Sequence, residues 1–244
     1  MLCGFGLLGA CDRNLMMKED PANTTVPLGI LDEDVSIGDH VAYFWETDRE
    51  FERGCEFLAA GLRVQDHCVI FGVDAANRRV CDVLKRRGLN LRDLRRQRRL
   101  CVLKAGTTAD ATLNELDRTL SDALQRGAPL IRVLGNVGNI PWPMNEGLLL
   151  FEAKVTAVAK SFVSVIVCMY DAQTLPGSIS LHSALVTHPV LISGNMMRQN
   201  PRHVQVEDLV WRLRGVHGKG ARESTRSAPI SKREWLERST QSQK

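Results

Sequence analysis

Six short apolar runs recur along this chain, each followed by a turn or a stretch patterned for a helix. They are His40–Trp45, His67–Val73, Leu100–Ala105, Leu130–Gly135, Val163–Tyr170 and Val190–Ser193. Most of them do not alternate apolar with polar residues. A strand with one wet face alternates; a strand covered on both faces reads as a continuous apolar run. The pattern therefore predicts an α/β fold, a mostly parallel sheet with helices on both faces.

The intervening segments support this. Thr47 and Glu50 form a capping box ahead of a helix to Leu62, with Phe51, Cys55, Leu58 and Leu62 on one stripe. Asp74 is placed to cap a helix that stops at Gly88, and a short helix follows from Leu91. Thr108 to Arg126 carries Leu113, Leu116, Leu120 and Leu124 on one face. A further helix is expected to end near Lys160, with Asn145 as its cap, and a short one over Ser178–Val186. Residues 1–34 read as a disordered leader broken by Pro21 and Pro27, residues 35–200 as the domain, 201–214 as a last helix and 215–244 as a disordered tail.

Composition bounds the compartment and the partners. The seven cysteines are irregularly spaced, none in a C-x-x-C pair, and several sit in apolar runs. Buried thiols in a reducing cytoplasm are expected, with no structural zinc. No run of 18 apolar residues suggests a membrane span. Leu8-Gly9-Ala10-Cys11 faintly resembles a lipoprotein box, but no Lys or Arg precedes it, and an over-extended start is the other reading. The net charge of +4 is uneven: Arg212 to Lys244 holds nine Lys/Arg against three Asp/Glu, which leaves 23 against 25 elsewhere. The tail is thus either a solvated end or a weak contact for nucleic acid. Lys85 to Arg99 carries seven arginines with no interleaved aromatic, which favours a solvated helical face.

Several chemistries are disfavoured. After the first strand comes Glu46-Thr47-Asp48-Arg49-Glu50, with no glycine and three acids where a P-loop would cradle phosphates. No G-x-S-x-G elbow is present. His40, Cys168 and His188 are metal-ligand types. However, both histidines precede or open their strands and Cys168 lies late in its own. That predicts opposite sheet edges, structural histidines and no metal. No cofactor and no catalytic residue is expected.

In open parallel sheets ligands bind beyond the carboxyl ends of the strands. The least ordinary stretch there is Gly135-Asn136-Val137-Gly138-Asn139-Ile140-Pro141-Trp142, with close-approach glycines, two amides and a flat apolar wall. The expected ligand pocket is lined by Phe44, Asn136, Trp142, Tyr170 and Asp171, supported by Arg132 and Glu152 through a charged hydrogen bond. Cys168 is either a packing residue or a reactive thiol of the same site.

Gly38-Asp39-His40, Phe57-Leu58-Ala59-Ala60-Gly61-Leu62, Ile131-Arg132-Val133-Leu134-Gly135-Asn136, Phe151-Glu152-Ala153-Lys154, Val167-Cys168-Met169-Tyr170-Asp171 and Thr187-His188-Pro189 follow one another in the order of a known family. Over roughly residues 35–200 the chain resembles the MEDS (methanogen/methylotroph, DcmR-type sensory) family. The resemblance implies a three-layer RecA/KaiC-like fold without a working P-loop. It implies a non-enzymatic sensor of small molecules, with hydrocarbon derivatives as ligands, in bacterial signalling or transcription regulation. It also implies a signalling protein partner. Asn136 departs from the acidic residue frequent at its position. The alternative is a stand-alone protein-interaction module on a degenerate ATPase fold.

Overall fold

The computed structural model describes residues 24–136, 146–174, 177–206 and 208–209. Its strands, in chain order, are β1 (Thr25–Pro27), β2 (Asp34–Ser36), β3 (His40–Trp45), β4 (His67–Gly72), β5 (Leu100–Lys104), β6 (Ile131–Asn136), β7 (Ser164–Asp171), β8 (Val190–Ser193) and β9 (Met196–Gln199). Its helices are α1 (Asp48–Arg63), α2 (Asp74–Arg86), α3 (Leu91–Arg96), α4 (Ala109–Gln125), α5 (Glu146–Ser161) and α6 (Gly177–Thr187). Seven strands form one sheet in the order β5-β4-β6-β7-β3-β8-β9, parallel except for β9, which pairs antiparallel with β8. The fold is the α/β sandwich that the apolar runs predict, since every residue of β4 and β6 is buried.

Each face has its own core. One buries Tyr43, Ile70, Leu134 and Val167 under Leu58 of α1, Leu84 of α2 and Leu94 of α3. The other buries Ala42, Val69, Val133 and Ile166 under Leu120 of α4, Phe151 of α5 and Leu185 of α6. Adjacent residues of a strand therefore serve different layers, as the pleat requires.

Local signals explain most helix starts. Thr47 caps α1 with the full capping box to Glu50, Asn90 caps α3 and Thr108 caps α4. Asp74 does not cap α2. It is the first helical residue, its carboxylate pairs with Lys104 at 2.7 Å, and Val73 takes the cap position without a side-chain bond. Asn145 lies outside the described residues.

The stretch read as a disordered leader contains structure. β1 and β2 form an antiparallel hairpin, and Leu28 and Ile30 between them are 0% and 5% exposed in the first core. A buried charge fastens this hairpin. Arg132 donates from Nε to Asp66 at 2.7 Å and from Nη1 to the Pro27 carbonyl at 2.9 Å. Gly61 leaves room for it: a Cβ there would lie 2.5 Å from Arg132 Cδ. The Arg-rich segment is spent on similar work. Arg86 and Arg87 pair with Glu52 and Glu56 of α1, and Arg99 bonds the Leu62 carbonyl. The last-helix segment is described only in part, and the tail from 215 lies outside the described residues.

Candidate functional site

Sheet register sorts the expected site residues into three places. Paired residues in a parallel sheet project to the same face. Phe44 pairs with Tyr170 and Ala42 with Cys168, so the side chains of Phe44, Cys168 and Tyr170 face the α4–α6 core. Asn136 pairs with Met169 and Trp45 with Asp171, on the opposite face. Arg132 shares that second face but sits toward the amino edge with Asp66. The expected pairing of Arg132 with Glu152 is therefore not found: the sheet lies between them, and Glu152 on α5 belongs to the other layer. Phe44 and Tyr170 do not line the strand-end pocket either. Their rings stack at 5.4 Å inside the core. Trp142 lies outside the described residues.

What does open at the carboxyl edge is a cleft of about 230 Å³ between the amino ends of α1 and α2. Two expected residues line it, Asn136 and Asp171. The others are Trp45, Phe51, Val73, Ala75, Ala76, Arg79 and Met169. Trp45 was visible as a strand-end residue; its parity with Asp171 needed the register. Phe51 belongs, by its spacing, to the α1 core stripe. Arg79 carried no sequence signal.

The cleft has a defined polarity. The guanidinium of Arg79 lies 3.7 Å from the Phe51 ring centroid and 5.0 Å from that of Trp45, a cation–π arrangement, and pairs with Asp48. Asp171 accepts from the backbone N–H of Gln173 at 2.9 Å. Asn136 is 7% exposed, and its Nδ2 is a buried donor without a hydrogen-bond partner. A buried donor left unpaired costs about 1–3 kcal/mol. The adjacent turn, where a P-loop would hold phosphate, already holds an anion of its own. Glu50 Oε2 accepts from the N–H of Glu46 at 2.8 Å and of Thr47 at 3.0 Å.

The opposite face holds the second constellation. His40, Glu152, Cys168 and His188 are each within 3% of complete burial, with all four metal-competent atoms within 4.8 Å of one another. This overturns the expectation that the histidines and Cys168 occupy opposite edges. β3 starts two residues into β7: His40 pairs with Ile166 and Ala42 with Cys168, so His40 and Cys168 are two residues apart on one face. His188 follows the last turn of α6, and its ring packs 3.8 Å from that of His40.

Hydrogen-bond partners assign the tautomers. The Thr156 hydroxyl faces the carbonyls of Glu152 (3.0 Å) and Thr187 (2.9 Å), so its one hydrogen is donated to a carbonyl. It must then accept at 2.9 Å from a protonated Nδ1 of His40. His188 Nδ1 donates to the Ala184 carbonyl at 3.0 Å. Both imidazoles thus turn a bare Nε2 toward Glu152 Oε2. Tyr170 donates to Glu152 Oε1 at 2.8 Å. Burial favours every neutral form: it raises Glu152 to about 7 and Cys168 and Tyr170 well above their usual values, and lowers His188 to about 3 and His40 well below its usual value. His40 stays neutral, so the 3.6 Å approach of its Nε2 to Glu152 is not an ion pair.

An α/β domain with a strand-end cleft and, among the described residues, no phosphate cradle is the class that fold and site define. A family model described as MEDS, MEthanogen/methylotroph, DcmR Sensory domain, matches residues 39–189. The chain belongs to this family of sensory domains. No curated protein matches the sequence. Among the described residues no helix is long and apolar enough to cross a membrane.

Proposed function

We propose that this chain is a non-enzymatic sensory domain that binds a small molecule in the cleft at the carboxyl edge, and reports its occupancy to a signalling or transcription partner in the cytoplasm. The observation that carries the reading is the unpaired, buried Nδ2 donor of Asn136, a residue that lines a cleft whose apolar wall is Trp45, Phe51 and Met169, with Arg79 and Asp171 beside them. An occupant with one hydrogen-bond acceptor on an apolar body would satisfy both. Drug-sized ligands occupy pockets of about 300–1,000 Å³. A cleft of about 230 Å³ suits something smaller, in keeping with the simple hydrocarbon derivatives that the family resemblance implies. Glu50 in the phosphate position supports a reading without nucleotide chemistry.

A thermal-shift screen of short alcohols, aldehydes, carboxylates and halides tests this. A ligand at 100 times its Kd adds about 2.7 kcal/mol to the native state, or roughly 5–10 °C for a domain of this size. Asn136→Leu, which removes the donor and fills space, should abolish the shift. A ligand that stabilises both proteins equally binds elsewhere and refutes the assignment.

A further inference from the structure

We propose that His40, Glu152, Cys168 and His188 form a binding site for one divalent transition-metal ion of the zinc class, buried between β3, β7, α5 and the end of α6. This site lies across the sheet from the cleft and does not depend on it.

Geometry is the first argument. A tetrahedral ion held at about 2.0–2.3 Å by nitrogen, oxygen and sulfur separates its ligand atoms by about 3.3–3.7 Å. Here His40 Nε2 lies 3.2 Å from Cys168 Sγ and 3.6 Å from Glu152 Oε2. Glu152 Oε2 lies 3.8 Å from both His188 Nε2 and Cys168 Sγ. The two remaining separations, from His188 Nε2 to His40 Nε2 and to Cys168 Sγ, lie within 4.8 Å, so closure by up to about 1 Å completes the tetrahedron.

The second argument is the orphan. His188 Nε2 is a fully buried acceptor with no hydrogen-bond partner, aimed at the same carboxylate oxygen as His40 Nε2. An unpartnered buried polar atom calls for an explanation, and a bound ion is one.

The third is the outer shell. Metal-bound histidines donate their other N–H to a fixed acceptor, and ligating carboxylates are themselves hydrogen-bonded. Thr156 holds His40, the Ala184 carbonyl holds His188, and Tyr170 holds the non-ligating oxygen of Glu152.

Charge is the fourth. A divalent ion with one thiolate, one carboxylate and two neutral imidazoles is electroneutral, so the core hosts it without a net buried charge. On binding, the Cys168 S–H bond breaks as the sulfur–metal bond forms, and the proton leaves to solvent; any proton on Glu152 leaves likewise. Imidazole with thiolate selects zinc, copper or cobalt over magnesium or calcium.

Full-length protein freed of metal by chelator and titrated with Zn²⁺ or Co²⁺ provides the test. One equivalent should bind, and the Co²⁺ form should show a thiolate charge-transfer band. Cys168→Ser should lose that band, Cys101→Ser should keep it, and Tyr170→Phe should weaken Zn²⁺ binding about 10–100-fold. X-ray absorption of the Zn²⁺ form needs no variant, so it decides the matter even if Cys168→Ser fails to fold. It should read one sulfur near 2.3 Å and three nitrogen or oxygen atoms near 2.0–2.1 Å, distances typical of such ligands. A shell with no sulfur or with several, or no retained metal, overturns the proposal. Neither result touches the cleft.

Discussion

Removing Asp66 isolates what the buried ion pair does. Arg132 and Asp66 have side chains 3% and 8% exposed, 2.7 Å apart. Truncating one partner of such a pair leaves the other charge in the core, at about 3–5 kcal/mol. Arg132 would keep three carbonyl contacts, with Pro27, Leu28 and Phe57. These cushion the cost, so Asp66→Ala belongs near the lower figure, about 3 kcal/mol. That corresponds to a drop in Tm of roughly 6–12 °C. Urea denaturation followed by circular dichroism measures it, and the double replacement Asp66→Ala/Arg132→Met should recover most of the loss, because no charge is then stranded. If the single variant loses under about 1 kcal/mol, or the double variant is worse than the single, the pair does not anchor the hairpin and this account of the amino edge is wrong.

Other consequences follow from single contacts. Gly61→Ala would normally favour a helix, yet its Cβ would meet Arg132 Cδ at 2.5 Å, so a loss of about 1–3 kcal/mol is expected; a stabilised variant in the same denaturation assay contradicts this. Thr47→Ala removes the cap and one half of its box, at about 1 kcal/mol, read as a lower urea midpoint with an unchanged slope. His67 is buried, which lowers its pKa below the ordinary 6.5. The folded protein therefore resists a proton that the unfolded chain accepts, so the stability from neutral His67 is complete above about pH 6.5 and is lost as pH falls below it. His67→Gln should flatten the decline in stability between pH 7 and pH 5; an unchanged slope would assign the acid sensitivity to other groups.

The layers of this fold were legible because burial on both faces writes itself into composition. Val69-Ile70-Phe71 and Val165-Ile166-Val167 have no polar positions to spare, and the capping box of Thr47 and Glu50 marks a helix start by local chemistry alone. The hairpin at residues 25–36 was not legible, since its strands are three residues each and its anchor, Arg132, lies a hundred residues away. β9 is short, carries Arg198 and Gln199, and pairs only at a sheet edge. Position along a strand proved a poor guide to position in the sheet. His40 opens β3 and Cys168 lies late in β7, yet a register offset brings them together. That offset depends on how far β7 extends toward the amino edge, which no local pattern encodes. The same limit mixed two sites in one expected pocket. Adjacent residues, Phe44 and Trp45 or Tyr170 and Asp171, share a strand end but open onto opposite faces.

The strand-end cleft is the proposed sensing site. Amide chemical-shift mapping by NMR, with short oxygenated and halogenated hydrocarbons added one at a time, tests it most directly. The expected result is saturable perturbation centred on Trp45, Arg79, Asn136 and Asp171, absent in Asn136→Leu. Saturable perturbation centred anywhere else, or none from any member of the series, would contradict it.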